Sequence, residues 1–193
     1  MIQTMKKIFL LVLFGAQIIA CGDGVKTNQT TPAATDINLE VADTIDDGTM
    51  LLGPINTQGL TAMPYQEWFE TSAQDYNPDR DVVTELKPLL KNYSIKVFMG
   101  TWCEDSQREV PALIKLLGLV DFKMSQLEMV AVSHDKDTPD HLEEGYDLEY
   151  VPTIILFKDG SEVNRIVEYT QETLEKDLRT IASGQPYTPG YAD

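Results

Sequence analysis

The sequence predicts an α/β fold, and three observations carry that reading. Short apolar runs at Ile95–Met99, Leu127–Val132 and Thr153–Phe157 are bounded by polar residues, as strands buried in a sheet are. Apolar residues at helical spacing fill the intervals between them. The third run continues through Asp159-Gly160, a two-residue hairpin signal, into the alternating stretch Ser161–Tyr169.

Taken in order, the elements begin with a first short helix around Pro64–Phe69. A second helix is expected between Pro78 and Lys91, where Val82, Val83, Leu86, Leu89 and Leu90 share a face despite Pro88. After the strand at Ile95–Met99, the residues Val110, Leu113, Ile114 and Leu117 recur at i, i+3, i+4 and i+7, the stripe of a helix packed on a sheet, with Pro111 expected to kink it. Thr138-Pro139 followed by acidic residues predicts a further helix start, from a cap residue, a proline at the first helical position and acids in the first turn. Leu174, Leu178 and Ile181 line a terminal helix that Gly184 ends in a left-handed cap. The order from the second helix onward is αβαβαββα: a central mixed sheet flanked by helices, with an N-terminal helical extension.

The N-terminus reads differently. Lys6 and Lys7 precede an apolar run from Ile8 that ends near Ala20, too short for a bilayer span of about 20 apolar residues. A basic n-region, a short h-region and a small residue before a cleavage point describe a signal peptide at residues 1–20. Ile18-Ile19-Ala20-Cys21 resembles the lipobox of bacterial lipoproteins, which implies lipidation of Cys21 and a membrane anchor; the alternative is an ordinary signal peptide with an incidental cysteine. Gly22 after that cysteine implies, by the same resemblance, the outer membrane of the cell envelope. Residues 21–50 are poor in aromatics and rich in Thr, Asp, Asn and Gly. They are expected to be a flexible tether with a reach of about 30 Å, and the compact domain is expected over residues 51–193.

The chain carries a net charge of −16, which repels nucleic acid and anionic headgroups, so nucleic acid is excluded as a partner. The two histidines, His134 and His141, lie among acids without metal-ligand spacing. They read as a solvated loop, so no metal is expected. Gly100 and Gly118 stand alone, so no phosphate loop is present and no cofactor is implied.

Cysteine usage is the sharpest signal. The sequence contains only Cys21 and Cys103, so lipidation of the first leaves Cys103 as a lone thiol in a disulfide-permissive compartment. It sits in Gly100-Thr101-Trp102-Cys103-Glu104-Asp105-Ser106, at a strand-to-helix junction. A cysteine in the first turn of a helix faces unpaired amides and the positive end of the dipole, which favour the nucleophilic thiolate; Glu104 and Asp105 oppose this. A moderate net lowering of its pKa is expected.

Trp102-Cys103, Pro111 eight residues later, and Val151-Pro152-Thr153 leading through a strand to Lys158-Asp159-Gly160, with Tyr146 upstream, together resemble the thioredoxin family over roughly Arg80–Ser183. GTWCEDSQREVP further resembles a bacterial subgroup with Cys-x-x-Ser. The resemblance implies a cis bond before Pro152, although an isolated Val-Pro-Thr is trans by default. It also implies a substrate-binding surface of Trp102, Val151 and Pro152 beside catalytic Cys103.

Three departures stand out. Ser106 replaces the resolving cysteine, Val97 replaces the buried proton-relay aspartate, and Ala131 replaces its lysine partner. Ser106 is in a position to donate a hydrogen bond to the Cys103 thiolate, or simply to supply polarity at the helix start. The expected activity is monothiol thiol–disulfide exchange on exported cysteine-containing proteins or low-molecular-weight thiols. The alternatives are a non-catalytic binding module using the cis-proline groove and the Trp68–Tyr76 segment, and an inert structural envelope lipoprotein.

Overall fold

The computed structural model describes residues 36–191. The signal peptide of residues 1–20, the lipidation of Cys21 and the first part of the tether lie outside the described residues. Six strands and five helices follow in the order β1 (Leu39–Ala42), β2 (Thr49–Ile55), α1 (Thr57–Leu60), α2 (Gln66–Asp75), α3 (Arg80–Leu89), β3 (Tyr93–Met99), α4 (Glu104–Leu119), β4 (Leu127–Ala131), β5 (Thr153–Lys158), β6 (Ser161–Val167) and α5 (Leu174–Ala182). One sheet holds all six strands in the order β1-β2-β4-β3-β5-β6. The β3–β4 pair is parallel and every other pair antiparallel.

The helices form where the sequence supplies both a stripe and a start. Asp79 caps α3 by accepting from the amides of Asp81 and Val82, and Pro88 falls in the last turn, where the chain is already leaving the helix. The α4 stripe buries Val110, Leu113, Leu116 and Leu117, with Pro111 accommodated inside the helix. Gly184, at φ 73°, ends α5 in the left-handed conformation expected of it. Asp159 and Gly160 both have positive φ, the geometry a two-residue hairpin with right-handed twist requires.

Strand alternation gives the sheet two apolar faces. Ile95, Val97 and Met99 of β3 join Met129, Ala131, Ile154, Leu156 and the buried sides of α2–α5 in one large cluster. Phe98 points the other way and joins Val130, Val132, Val151 and Ile155, with Trp102, Cys103, Leu142, Tyr146 and Leu148 packed against them.

Two sequence expectations are corrected. Residues 39–50, assigned to the tether and placed before the compact domain, form β1, the following turn and the start of β2, which continues to pair with β4. Composition hid this, because Leu39-Glu40-Val41-Ala42 is only four residues long and set among polar neighbours, too short to signal a strand alone. It forms because β2 offers it a ladder and Asp43 stabilises the turn, its carboxylate accepting from the Ile45 and Asp46 amides at 3.0 Å. The helix expected from Thr138 also fails to form. The Thr138 hydroxyl accepts from the Leu142 amide at 2.8 Å, four residues on and one beyond the reach of a helix cap. The chain then takes positive φ at His141, Gly145 and Asp147, which breaks the segment into successive turns.

The hairpin of β1 and β2 is tied to the Gly100–Ser106 loop by one buried bond, Leu51 N donating to Thr101 Oγ1 at 3.1 Å. Thr101→Val keeps the shape and orphans that amide, so chemical denaturation should register a loss of about 1–3 kcal/mol. Glu109, in α4, gives a prediction of opposite sign. Burial pushes its carboxyl above the usual range against the opposing pull of Arg108. A carboxyl whose folded pKa is raised costs stability when ionised, and the cost disappears as pH falls below the unfolded value. Glu109→Gln should therefore be at least as stable as the native protein at pH 7, with the advantage shrinking in melts run at progressively lower pH.

Candidate functional site

Sheet pairing creates the site. Antiparallel pairing of β3 with β5 sets Phe98 opposite Thr153, so the end of β3 and the start of β5 lie side by side. Residues just past the first strand therefore meet residues just before the second, which brings Cys103 to Val151 across 48 positions of sequence. The Cys103 thiol donates to the Val151 carbonyl oxygen at 3.2 Å. The Val151–Pro152 peptide is cis. The loop is fixed on both sides by Thr153 Oγ1 donating to the Tyr150 carbonyl and Glu168 N donating to the Pro152 carbonyl, each at 2.7 Å.

Cys103 is the N-cap residue of α4, half-buried and free of any disulfide, and its side chain caps no amide of the helix. Its own amide donates back to Gly100 O at 3.1 Å, closing a tight turn after β3. Gly100 is required in that turn, because a Cβ there would fall 2.4 Å from Trp102 Cε2. The indole folds back over the glycine and donates from Nε1 to the Val132 carbonyl at 3.0 Å.

Trp102, Cys103, Val151 and Pro152 thus stand together, while Ser106 stands apart. Ser106 is fully buried, and its Oγ accepts from the Gly100 amide at 3.2 Å; no hydrogen bond joins it to Sγ. Val97 and Ala131 are fully buried among aliphatic neighbours of the helix-side cluster. Trp68 and Tyr76 pack on that same cluster, whereas Trp102 and Val151 belong to the other, so the two segments named for a binding module sit on different clusters.

The solvated-loop reading is corrected for one of the two histidines. His141 is exposed, but the His134 side chain keeps only 16% of its surface and the Asp43 side chain facing it only 3%. The His134 ring stacks on Trp102 with centroids 4.2 Å apart and planes 18° from parallel, and its Nε2 lies 3.0–3.1 Å from both Asp43 carboxylate oxygens. That hydrogen bond, with the one from the Ile45 amide, holds the Asp43 carboxyl down at about 2. Asp46 lies farther out, 3.9 Å from His134 Nε2. The ligand-type atoms of Asp43, Asp46 and His134 lie within 4.8 Å of one another, and the hydrogen bond between the first and last accounts for that spacing. Sequence reading missed this pair because 91 residues separate its members and nothing local marks them as partners.

No family model matches the chain. It is similar to a thioredoxin of Staphylococcus epidermidis, 33% identical over 86 residues that span 42% of this chain and 78% of that protein. It is also similar to a thioredoxin of Mycolicibacterium smegmatis, 32% identical over 87 residues spanning 45% of this chain and 70% of that one. Among solved structures it is similar to a protein of unknown function from Pseudomonas aeruginosa, 20% identical with a TM-score of 0.45, covering 63% of this chain and 74% of that one. Identity of about a third over more than two thirds of two curated thioredoxins, in a chain whose cysteine opens a helix beside a cis-proline, means that this protein belongs to the thioredoxin family.

Proposed function

We propose that this chain is an exported, membrane-tethered member of its family that performs thiol–disulfide exchange with a single sulfur, Cys103. Thiol–disulfide exchange is the chemistry its thioredoxin relatives point to. The observation that carries the one-sulfur form is the environment of Cys103. Its Sγ opens α4 against the Val151 carbonyl, and the side chain one turn on is the enclosed Ser106 hydroxyl. Tethering rests on the sequence of residues 1–22, with lipid on Cys21 holding the domain to the envelope.

Cys103 loses its proton to solvent, giving up the bond to the Val151 carbonyl. The thiolate attacks one sulfur of a substrate disulfide, forming a Cys103–substrate disulfide and expelling the other sulfur as thiolate. One S–S bond forms for each one broken, with no net oxidation. Ser106 cannot repeat the attack, because an alcohol is far too weak an acid and nucleophile to displace a thiolate at neutral pH. Release falls to a low-molecular-weight thiol or to another cysteine of the substrate, and the second route amounts to isomerisation.

Pre-reduced protein should reduce insulin disulfides negligibly in the absence of other thiols. Ser106→Cys should raise that activity by about tenfold or more, since an internal thiol replaces a bimolecular step. Non-reducing gels of cells expressing the native protein should contain disulfide-linked adducts that vanish with Cys103→Ser. Efficient thiol-free insulin reduction by the native protein would refute the one-sulfur mechanism. Partner capture that survives Cys103→Ser would favour a binding module.

A further inference from the structure

We propose that His134, held by Asp43, is a positioning residue for the exchange reaction: it clamps the Trp102 indole as a fixed wall beside Cys103, against which a peptidyl disulfide is aligned. The inference rests on the exchange reading above and adds to it two residues from outside the Trp-Cys-x-x-Ser segment. The indole is gripped on several sides. Gly100 leaves room beneath it, Val132 O accepts from its nitrogen, and the His134 ring lies almost parallel to it at 4.2 Å. Lys136 Nζ stands 6.0 Å from the ring centroid.

Each of the first two restraints comes from backbone near Trp102. The third comes from a side chain that is itself restrained, because a rotating imidazole would not hold an indole. Asp43 supplies that restraint from the turn after β1, and it is fixed in turn by the Ile45 and Asp46 amides. Trp102 and Cys103 pack on the same small cluster with Val151, so the clamp acts on the wall of the site that holds Sγ. Aligning a disulfide for in-line attack demands that wall, whereas alkylation by a small reagent does not.

The distinction gives the test. Folded protein, verified by near-UV circular dichroism, is reacted at Cys103 with a peptidyl 2-pyridyl disulfide and, separately, with iodoacetamide. In the first reaction the thiolate forms a Cys103–peptide disulfide and pyridine-2-thione leaves with the proton, which its absorbance reports. His134→Ala, and His134→Gln, which can keep the bond to Asp43 and loses the ring, should slow the disulfide reaction by about tenfold. Both should leave the iodoacetamide rate within about twofold of native, since intrinsic sulfur reactivity is untouched. His134→Phe, which keeps a ring for the stack and loses the bond to Asp43, should recover part of the disulfide rate and fall between the Gln variant and the native protein; it and the Gln variant carry the test if the Ala variant does not fold. A folded Gln variant reacting at the native rate, equal slowing in all three variants, or parallel loss with both reagents would overturn the role of His134 and leave the exchange reading standing. Native protein that is alkylated yet forms no mixed disulfide would overturn the exchange reading and this inference with it.

Discussion

The hydrogen bond from Cys103 to the Val151 carbonyl depends on antiparallel registration of β3 with β5, and most of what is distinctive in the molecule depends on that registration in turn. Two segments meet at one end of these neighbouring interior strands, one leaving β3 and the other entering β5. The first turns sharply at Gly100 and becomes a helix at Cys103. The second passes through the cis peptide at Pro152 and becomes a strand at Thr153. A slip of one residue in the pairing would send Phe98 and Val97 to each other's face and remove Sγ from the carbonyl, since side chains alternate along a strand.

The two faces of that sheet are covered by different means. Helices α2 to α5 bury the larger cluster, including Val97 and Ala131, where aliphatic contact is close and a charge would be costly. The smaller cluster is closed by the irregular segment between β4 and β5, through Leu142, Tyr146 and Leu148. Trp102 and Cys103 sit at its edge. A face covered by turns rather than a helix can bring side chains such as His134 over the site, because turns follow the surface without the spacing a helix imposes.

The hairpin of β1 and β2 extends the sheet beyond β4 and does more than lengthen it. Thr101, in the loop carrying Cys103, accepts from the Leu51 amide, and Asp43 is hydrogen-bonded to His134, which stacks on Trp102 of that loop, so this early segment reaches the loop once directly and once through the His134 ring. Both were invisible in sequence: Asp43 sits in a polar run that composition marks as tether, and its partner lies 91 residues on. The failed helix at Thr138 has a related cause. The local signals for a helix start were present, but packing of Leu142, Tyr146 and Leu148 onto the sheet and left-handed backbone at His141 and Asp147 prevailed over them.

The α/β order, the strands at β3, β4 and β5, the Asp159-Gly160 hairpin, the stripe of α4 and the placement of Cys103 at its start were all determined by the sequence alone. Each depends on periodicity or turn chemistry within a few residues, where the code is local. Only the tertiary structure decided that the Cys103 thiol bonds the Val151 carbonyl, that Ser106 is sealed against Gly100, that Trp68 and Tyr76 pack in a different cluster from Trp102, and that His134 stacks on Trp102. Those outcomes depend on which strands pair and in what register, a choice made by burial of whole faces at once and therefore written in no single stretch of residues.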